Sequence, residues 1–501
     1  MSAPEASSAE LHAGDADVLD SPEAGALVLR GGALRVGGYV AGTLVSLLGV
    51  AVVTRYLGVD EYGKYQTILS LVTLVAAVTD VGMATYGLRE YTQGRAEERD
   101  AMMSTLIGLR LALTTLGIVA ALAIGIAAGY STELEVGILL AGVGLLVTVL
   151  QTTLAIPLNA ELRIAAITLL DAGRQVLMVV AFLILAAAGA GVAAFLGATI
   201  PVALVVLAIT AWLVRGAVSV VPRVRLREWA GMLKATAAFA AATAAGSIYA
   251  YTAMILTSFV ASAEQAGLFA ASFRVIVVTA AVPSLIVTVA FPVLARAARD
   301  DRERLTYALQ RLFEVSVVLG AATVIGLVIG APFVIEVLAG PKFAGAVGVL
   351  QIQALALMAS FLLATWGFGL LSLHRHRPLL LANLLALGLS CVLVLVLASA
   401  DGARGAALAT VISESVLAIA YLVALARGHR DLMPRLGVVP RVIAAATPAC
   451  AVVLIPGLPA LVQAILAVAI FLFLALVFRA LPAELADLLP AGARARFQGR
   501  S

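Results

Sequence analysis

The chain has 501 residues, of which 62% are hydrophobic and only 12% are charged, and its mean hydropathy is +1.07. A soluble globular domain carries about 25% charged residues, so this composition excludes a soluble globular protein. Apolar stretches of about 18 residues or more recur along the whole chain, which predicts an all-α polytopic membrane protein.

The first segment, residues 1–29, is unlike the rest because it holds six acidic residues and neither Lys nor Arg. A secretory signal would begin basic and continue apolar, so the segment predicts a disordered acidic cytoplasmic tail. Membrane insertion is therefore expected to depend on the first transmembrane helix.

Fourteen segments approach the length of about 20 apolar residues that crosses a bilayer. They are 34–57, 63–88, 103–129, 134–158, 164–188, 191–214, 231–260, 266–295, 306–335, 346–372, 378–399, 404–426, 441–457 and 459–479. The thirteenth is short and contains Pro448 and Pro456, so we expect 12 to 14 transmembrane helices.

The order of these segments predicts two halves followed by an extension. When the sequence is aligned with itself at an offset of 204 positions, QAGLF (265–269) aligns with EYGKY (61–65), and Gly267 aligns with Gly63. Parallel repeats of this kind occur in transporters, where the substrate site lies between the halves. We therefore predict two six-helix bundles related by pseudo-two-fold symmetry around a central cavity. The domains are a six-helix bundle at 30–229, a second at 230–430, two additional helices at 431–480 and a cytoplasmic tail at 481–501.

The distribution of Lys and Arg predicts the orientation in the cell membrane. Most of the 33 basic residues fall in loops on one side, and the other side holds only Arg55, Lys64, Lys342 and Arg404. Cytoplasmic loops are enriched in Lys and Arg, so both termini are expected to be cytoplasmic. We expect Arg55 and Lys64 to pair with the neighbouring Asp60 and Glu61.

Eight charged residues lie inside predicted helices, where each costs about 2.5–3.5 kcal/mol at the bilayer centre. They are Asp80, Arg110, Asp171, Arg174, Arg274, Arg311, Glu314 and Glu414. The pairs Asp171–Arg174 and Arg311–Glu314 are three residues apart on one helical face and can neutralise themselves. Asp80 and Arg110 lie at matching depths, so we expect a pair between the second and third helices. That pair can be structural or can line a cavity.

Arg274 has no acidic residue within four positions. It either extends to the outer surface or faces a water-filled cavity and binds an anionic ligand, and the planar guanidinium suits phosphate. Glu414 has no basic neighbour within one turn. It is either a protonatable coupling site or a neutral acid hydrogen-bonded to another helix.

The sequence carries no catalytic signature. It has no phosphate-binding glycine loop with a lysine and no HExxH, and its internal loops are too short for a catalytic domain. Cys391 and Cys450 lie in apolar runs and are expected to be free thiols. We therefore predict no enzyme activity, no catalytic residue, no metal or other cofactor and no nucleic-acid partner.

Three motifs in the first 120 residues carry a family resemblance: TRYLGVDEYGKY at 54–65, TDVGMATYGLRE at 79–90 and GLRLAL at 108–113. They resemble the bacterial polysaccharide (oligosaccharide-lipid) flippases of the multidrug/oligosaccharidyl-lipid/polysaccharide exporter superfamily. The motif residues are Arg55, Gly58, Glu61, Tyr62, Gly63, Asp80, Gly82 and Arg89.

The resemblance implies alternating access and translocation of an undecaprenyl-diphosphate-linked oligosaccharide from the cytoplasmic to the outer leaflet, for surface polysaccharide biosynthesis. The expected partners are this substrate, membrane lipids and a polysaccharide polymerase machinery. Cavity arginines of such flippases hold the diphosphate, which makes Arg274, Arg110, Asp80 and Arg174 the substrate-binding candidates. Glu414, Glu314 and Asp171 are the candidates for a coupling or structural role.

Three alternatives remain. A lipid II flippase shares the fold. A cation-coupled multidrug exporter of the superfamily usually has acidic residues in helix 1 or 7, and 34–57 and 231–260 contain none. A non-transporting membrane subunit of a glycan assembly complex is the third.

Overall fold

The computed structural model describes residues 22–80, 82–215, 222–300, 302–427 and 430–480, and over these ranges the chain is helical with no strand. The first half contains α1 (Pro22–Asp80), α2 (Met83–Gln93), α3 (Ala96–Ala127), α4 (Thr132–Leu154), α5 (Ile156–Ala160), α6 (Ile164–Ala187), α7 (Val192–Gly197) and α8 (Thr199–Leu213). The second half contains α9 (Leu226–Val260), α10 (Ala263–Asp300), α11 (Arg302–Ala339), α12 (Ala346–Ser372) and α13 (His376–Ala426). The extension contains α14 (Val438–Cys450) and α15 (Ala460–Val477).

Helix α1 begins earlier than the sequence predicted. It starts at Pro22, so residues 22–29 are helical and do not belong to a disordered tail. Proline at the first helical position is already fixed in a helical φ, and Glu23 follows it at the positive end of the helix dipole. Residues 1–21, the rest of the predicted tail, and 481–501 lie outside the described residues.

Helices cover the fourteen predicted membrane segments, with two departures. The second segment, 63–88, is interrupted between the end of α1 at Asp80 and the start of α2 at Met83, and the thirteenth is α14 followed by a 3-10 turn that ends at Leu454. The described ranges contain 10 helices long and apolar enough to cross a membrane, plus two shorter apolar helices, Ala244–Val260 and Val438–Leu454. Two of the long helices, α1 and α13, each correspond to two predicted segments. A non-helical break separates the two segments, at Gly58 in α1 and at Asp401 and Gly402 in α13. The chain is a multi-pass helical membrane protein.

The interruption at Gly58 is a hairpin. Gly58 has a φ of 78°, which glycine adopts without the steric cost of a β-carbon. Ser46 and Leu69, at similar distances on either side of Gly58, line the same cavity. Residues 22–57 and 59–80 are therefore two antiparallel arms of α1.

The helices pack in two groups that meet along α1. Helices α1, α3, α4 and α6–α8 pack on one another, as do α9–α13, while α14 and α15 pack on α11. Helix α1 also contacts α9, α10 and α11, and α3 contacts α9. The largest buried apolar cluster takes members from both groups, among them Tyr62, Phe195, Phe269 and Phe343. One apolar core therefore joins the two halves.

The repeat-related glycines lie where the halves touch. A β-carbon at Gly63 would lie 2.7 Å from the backbone nitrogen of Gly267, and one at Gly267 would overlap the carbonyl group of Val59. Only residues without a side chain permit this approach. The contact lies beside Gly58, and we call this end of the molecule the Gly58 end; the far end, with the turn at Leu162, is the Leu162 end.

Arg55 does not pair with Asp60 or Glu61 as predicted. It donates from Nη2 to the carbonyl oxygens of Glu336 and Val337, at 3.1 and 2.9 Å. These carbonyls belong to the last turn of α11, at the negative end of the helix dipole. The Glu336 carbonyl also accepts a hydrogen bond from the N–H of Gly340 at 3.0 Å. The predicted pair of Lys64 with Glu61 is present, at 2.6 Å.

Candidate functional site

A cavity of about 680 Å³ lies between the two halves. Helices α1, α2, α5 and α6 line it from the first half and α10 lines it from the second. Its polar lining residues are Thr43, Ser46, Asn159, Thr168, Asp171, Arg174, Gln175 and Arg274. The cavity extends to Leu162, whereas the halves are in direct contact at the Gly58 end.

A second space of about 140 Å³, here called the inner chamber, continues this cavity toward the Gly58 end. Ser46, Gln175 and Arg274 line both spaces. Aromatic rings form much of the chamber wall, with Tyr65 edge-on to Phe182 at 6.5 Å and stacked on Tyr62 at 6.1 Å. The chamber is therefore narrower and more apolar than the main cavity.

Arg274 lies at the junction of the two spaces. Its side chain is half-buried, and its Nε is buried without a hydrogen-bond partner. No ion pair or hydrogen bond to Arg274 occurs among the described residues. Tyr62 and Tyr65 line the inner chamber together with Arg274. The sequence left two positions open for this side chain, the outer surface or a cavity, and in the structure it lines the cavity.

Arg174 also lines the main cavity, together with Asp171. Arg174 donates from Nη2 to the side-chain oxygen of Gln151, and its Nε is buried without a partner. Asp171 is close enough to Arg174 for an electrostatic interaction, as their spacing on α6 predicts. This pair therefore presents both hydrogen-bond donors and acceptors at the cavity wall.

Asp80 and Arg110 form the predicted ion pair between the second arm of α1 and α3. Arg110 donates from Nη2 to Asp80 Oδ1 at 2.5 Å and from Nη1 to Thr153 Oγ1 at 2.7 Å. The Arg110 side chain is 6% exposed and that of Asp80 is 37% exposed. Neither residue lines the cavity. This geometry supports neutralisation of the buried charge, and substrate binding by Arg110 and Asp80 stays a prediction.

Arg311 and Glu314 are paired on α11. Arg311 Nη1 donates to Glu314 Oε2 at 2.9 Å, and Gln310 donates to the other carboxylate oxygen at 2.8 Å. The guanidinium also lies over the ring of Tyr307, 5.0 Å from its centre. These contacts support a structural role for Glu314.

Glu414 lies within the second half, away from the cavity. Its carboxyl group accepts hydrogen bonds from the hydroxyls of Tyr249 on α9 and Ser360 on α12, the latter at 3.5 Å. No ion pair to Glu414 occurs among the described residues. Tyr421 lies nearby and accepts from Asn383 at 2.9 Å. Glu414 is therefore held by hydroxyl donors from two other helices, and its coupling role stays a prediction.

The motif residues separate into two positions. Arg55, Gly58, Glu61, Tyr62 and Gly63 belong to the hairpin where the halves meet. The others surround the start of α2, where Gly82 has a φ of 71° and Arg89 pairs with Glu90 at 2.9 Å. Tyr62, which the sequence assigned only to a family motif, lines the inner chamber. The spacing of Tyr62, Tyr65 and Gln66 on one helical face was the signal that could have indicated this.

A helical membrane protein with two packed halves and a polar cavity between them has the architecture of a transporter. Residues 52–348 match the family described as "Polysaccharide biosynthesis protein". The match covers more than half of the chain, so the chain belongs to this family.

Solved structures of the same fold agree with this assignment. The fold is similar to lipid II flippase MurJ in an inward closed conformation, with 13% identity, a TM-score of 0.74, and coverage of 89% of this chain and 98% of that one. It is also similar to an inward-facing multidrug resistance MATE family transporter of the MOP superfamily, with 17% identity, a TM-score of 0.61 and coverage of 78% and 94%. A MOP superfamily transporter from Pyrococcus furiosus matches with 17% identity, a TM-score of 0.54 and coverage of 79% and 95%.

At these identities the structural matches establish the fold. No curated protein matches the chain. The family match agrees with the predicted resemblance to polysaccharide-exporting flippases, and the structural matches confirm the all-α polytopic fold.

Proposed function

We propose that the chain is a flippase that moves undecaprenyl-diphosphate-linked oligosaccharide units from the cytoplasmic to the outer leaflet of the cell membrane, for surface polysaccharide biosynthesis. The observation that carries the proposal is Arg274, an arginine without a counter-ion among the described residues, which lines both the main cavity between the halves and the inner chamber. The family match is to polysaccharide biosynthesis proteins.

The energetics of Arg274 favour an anionic ligand. A charged side chain at the bilayer centre costs about 2.5–3.5 kcal/mol on insertion scales. Arg110 offsets this cost with an ion pair to Asp80, whereas Arg274 has no ion pair with any described residue. Cavity water and a phosphate group of the substrate would supply the hydrogen-bond acceptors that the protein lacks. Arginine keeps its charge when buried and binds phosphate through two parallel hydrogen bonds.

The main cavity suits the sugars of such a substrate. Asp171 and Arg174 offer acceptors and donors on one face, and Thr168, Asn159 and Thr43 add neutral polar groups. Sugar hydroxyls both donate and accept hydrogen bonds, so a lining of mixed character matches them. The lipid tail would stay in the bilayer while the polar part passes between the halves.

The direction of opening follows from the predicted orientation. With both termini cytoplasmic, the Gly58 end faces outward, and the structure is closed there by the Gly63–Gly267 contact. Rigid-body rocking of the halves would separate this contact and release the polar part of the substrate outward. The chain would then act as a transporter and catalyse no chemical reaction.

Lipid II is the second candidate substrate, because the fold is similar to lipid II flippase MurJ. Both substrates share a lipid-linked diphosphate, so Arg274 would serve either one. They differ in phenotype, since loss of lipid II transport stops peptidoglycan synthesis whereas loss of oligosaccharide transport removes surface polysaccharide.

Substitution of Arg274 tests the proposal in cells. We expect Arg274→Ala to abolish surface polysaccharide while the abundance of the protein in the membrane is unchanged, because the anion loses its main donor. Arg163→Ala is the matched control, since Arg163 is half-exposed and its Nη1 contacts only the carbonyl oxygen of Leu213 and the carboxylate of Glu161. Immunoblots of surface glycan and of the protein are the measurements. Normal surface glycan in the Arg274→Ala strain would contradict the proposal.

A further inference from the structure

The inner chamber contains a second polar group without a partner. Tyr62 is 1% exposed and lines the chamber, and its buried hydroxyl has no hydrogen-bond partner in the part of the chain that the structure describes. Buried hydroxyls are nearly always hydrogen-bonded, since an unsatisfied one loses its interaction with water and gains nothing in return. A buried orphan donor that lines a cavity points to a ligand.

Tyr62 and Arg274 come from opposite halves of the molecule. Tyr62 belongs to the second arm of α1, and Arg274 belongs to α10. Both residues line the inner chamber, so groups from the two halves meet at the same small space. Both Arg274 Nε and Tyr62 Oη lack a partner, so neither satisfies the other.

The lining of the chamber selects the charge of its occupant. No Asp, Glu, Lys or His lines it, and the remaining polar residues, Ser46, Gln66, Gln175 and Thr199, are neutral. Among the described residues, Arg274 is the one charged group in the lining, and a guanidinium can only donate. Asp171 lines the main cavity and not the chamber. The chamber is therefore electropositive.

The volume of the chamber limits the size of the occupant. At about 140 Å³ the chamber is about a fifth of the size of the main cavity, which measures about 680 Å³. It therefore suits a small group such as a phosphate, whereas the main cavity has more room for sugars. The apolar walls, including Phe182, Val50 and Val53, reduce competition from water for the hydrogen bonds inside.

We infer that the inner chamber is an oxyanion subsite in which Tyr62 and Arg274, from opposite halves, donate hydrogen bonds to one phosphate-class group. The inference rests on the proposed function and adds to it a second contact residue and a position for the anion. An anion held there ties the two halves together beside the Gly63–Gly267 contact. The subsite therefore gives Tyr62, a residue of the EYG motif, a role in ligand binding.

Binding of inorganic diphosphate to the purified full-length chain tests the subsite. The protein is placed in nanodiscs of phosphatidylcholine, and diphosphate affinity and melting temperature are measured for the wild type, Tyr62→Phe and Arg274→Gln. Tyr91→Phe is the matched control, because Tyr91 is also buried but contacts Arg99 in another cluster.

We expect Tyr62→Phe to weaken diphosphate binding about tenfold, the effect of losing one hydrogen bond to a charged group. We expect its melting temperature without ligand to be unchanged or higher, because the hydroxyl makes no hydrogen bond in the free protein. Arg274→Gln should abolish saturable binding, and Tyr91→Phe should bind as the wild type does. A structural role for the Tyr62 hydroxyl gives the opposite pattern, a lower melting temperature with unchanged affinity, and would overturn the inference. Failure of the wild type to bind diphosphate would also overturn it.

Phosphatidylglycerol in the nanodiscs distinguishes two sources of the phosphate. If phosphatidylglycerol competes with diphosphate and this competition depends on Tyr62, the subsite is supported and its ligand is a lipid headgroup. If diphosphate binds without competition from phosphatidylglycerol, the subsite is supported and its ligand is the substrate. The failures of the two proposals are distinguishable. Diphosphate binding that depends on Tyr62, in a chain that moves no lipid-linked oligosaccharide, retains the subsite and refutes the proposed function.

Discussion

Arg110 and Arg274 are two arginines inside the same helical bundle with different surroundings. Arg110 reaches a carboxylate and a hydroxyl within 2.7 Å, and it lies outside the cavity. Arg274 has no such partners among the described residues and lies between two cavities. A charge that the protein neutralises itself indicates a structural role, and one that it leaves unneutralised in a cavity indicates binding.

The Asp80–Arg110 pair should therefore matter for stability. We expect Asp80→Asn to lower the free energy of unfolding by roughly 2 kcal/mol, because it leaves a buried guanidinium without its counter-ion. Removing one partner of a fully buried pair costs about 3–5 kcal/mol, and Asp80 is partly exposed, which reduces the cost. Unfolding in detergent by denaturant titration measures the change.

Glu90→Gln is the control for Asp80→Asn. It removes the carboxylate of an exposed pair with Arg89, and exposed pairs contribute about 0–1 kcal/mol. Equal stabilities of Asp80→Asn and the wild type would show that the Asp80–Arg110 pair does not hold the second arm of α1 to α3.

At the scale of elements, the hairpin at Gly58 connects the first half to the second. The last turn of α11 receives hydrogen bonds from Arg55 and also from Thr54, whose Oγ1 donates to the carbonyl oxygen of Leu338 at 2.8 Å. On the other side of the hairpin, Gly63 meets the backbone of Gly267. The TRYLGVDEYG motif therefore closes the Gly58 end.

A side chain at the Gly63 contact should open this end. We expect Gly63→Ala to shift the molecule toward a conformation in which the hairpin and α11 are further apart, because the added carbon would lie 2.7–2.8 Å from backbone atoms of α10. Double electron–electron resonance between spin labels at Asp60 and Lys342, both exposed, measures the separation.

Gly173→Ala is the matched control, because a β-carbon there meets nothing within 4 Å. The distance distribution of this variant should equal that of the wild type. A Gly63→Ala distribution that also equals the wild type would show that the glycine contact does not set the closure.

The helices could be predicted from the sequence, and the contacts between the halves could not. The segment 346–372 was predicted from apolar length alone and coincides with α12, since the length that crosses a bilayer is a local property. The partner of Arg55 lies 281 residues away along the chain, and the nearby Asp60 and Glu61 made a local pair the simplest expectation. Tyr62 was missed for the same reason, because its chamber exists only when α1 meets α10.

The ion pair of Asp80 and Arg110 is a contact between helices that could be predicted from the sequence. Their matching depths in adjacent antiparallel helices were sufficient to predict a contact across 30 residues. The cavity lining of Arg274 was left as one of two alternatives, since sequence gives the depth of a residue but not the direction in which its helix faces.

At the scale of the whole molecule, the two halves are in direct contact at the Gly58 end, and the polar cavity between them extends to Leu162. The chain belongs to the family of polysaccharide biosynthesis proteins, and the substrate that we propose for it is a lipid-linked glycan. The central claim is that the chain moves the polar part of such a lipid across the membrane.

Deletion of the chain followed by analysis of the lipid-linked oligosaccharides in each leaflet tests this claim most directly. We expect the lipid-linked oligosaccharide to accumulate in the inner leaflet of the deletion strain and to return to normal with the wild-type chain but not with Arg274→Ala. Resistance to cationic dyes should be unchanged, because multidrug export is not the proposed activity. A deletion strain with a normal distribution of lipid-linked oligosaccharide between the leaflets would contradict the claim.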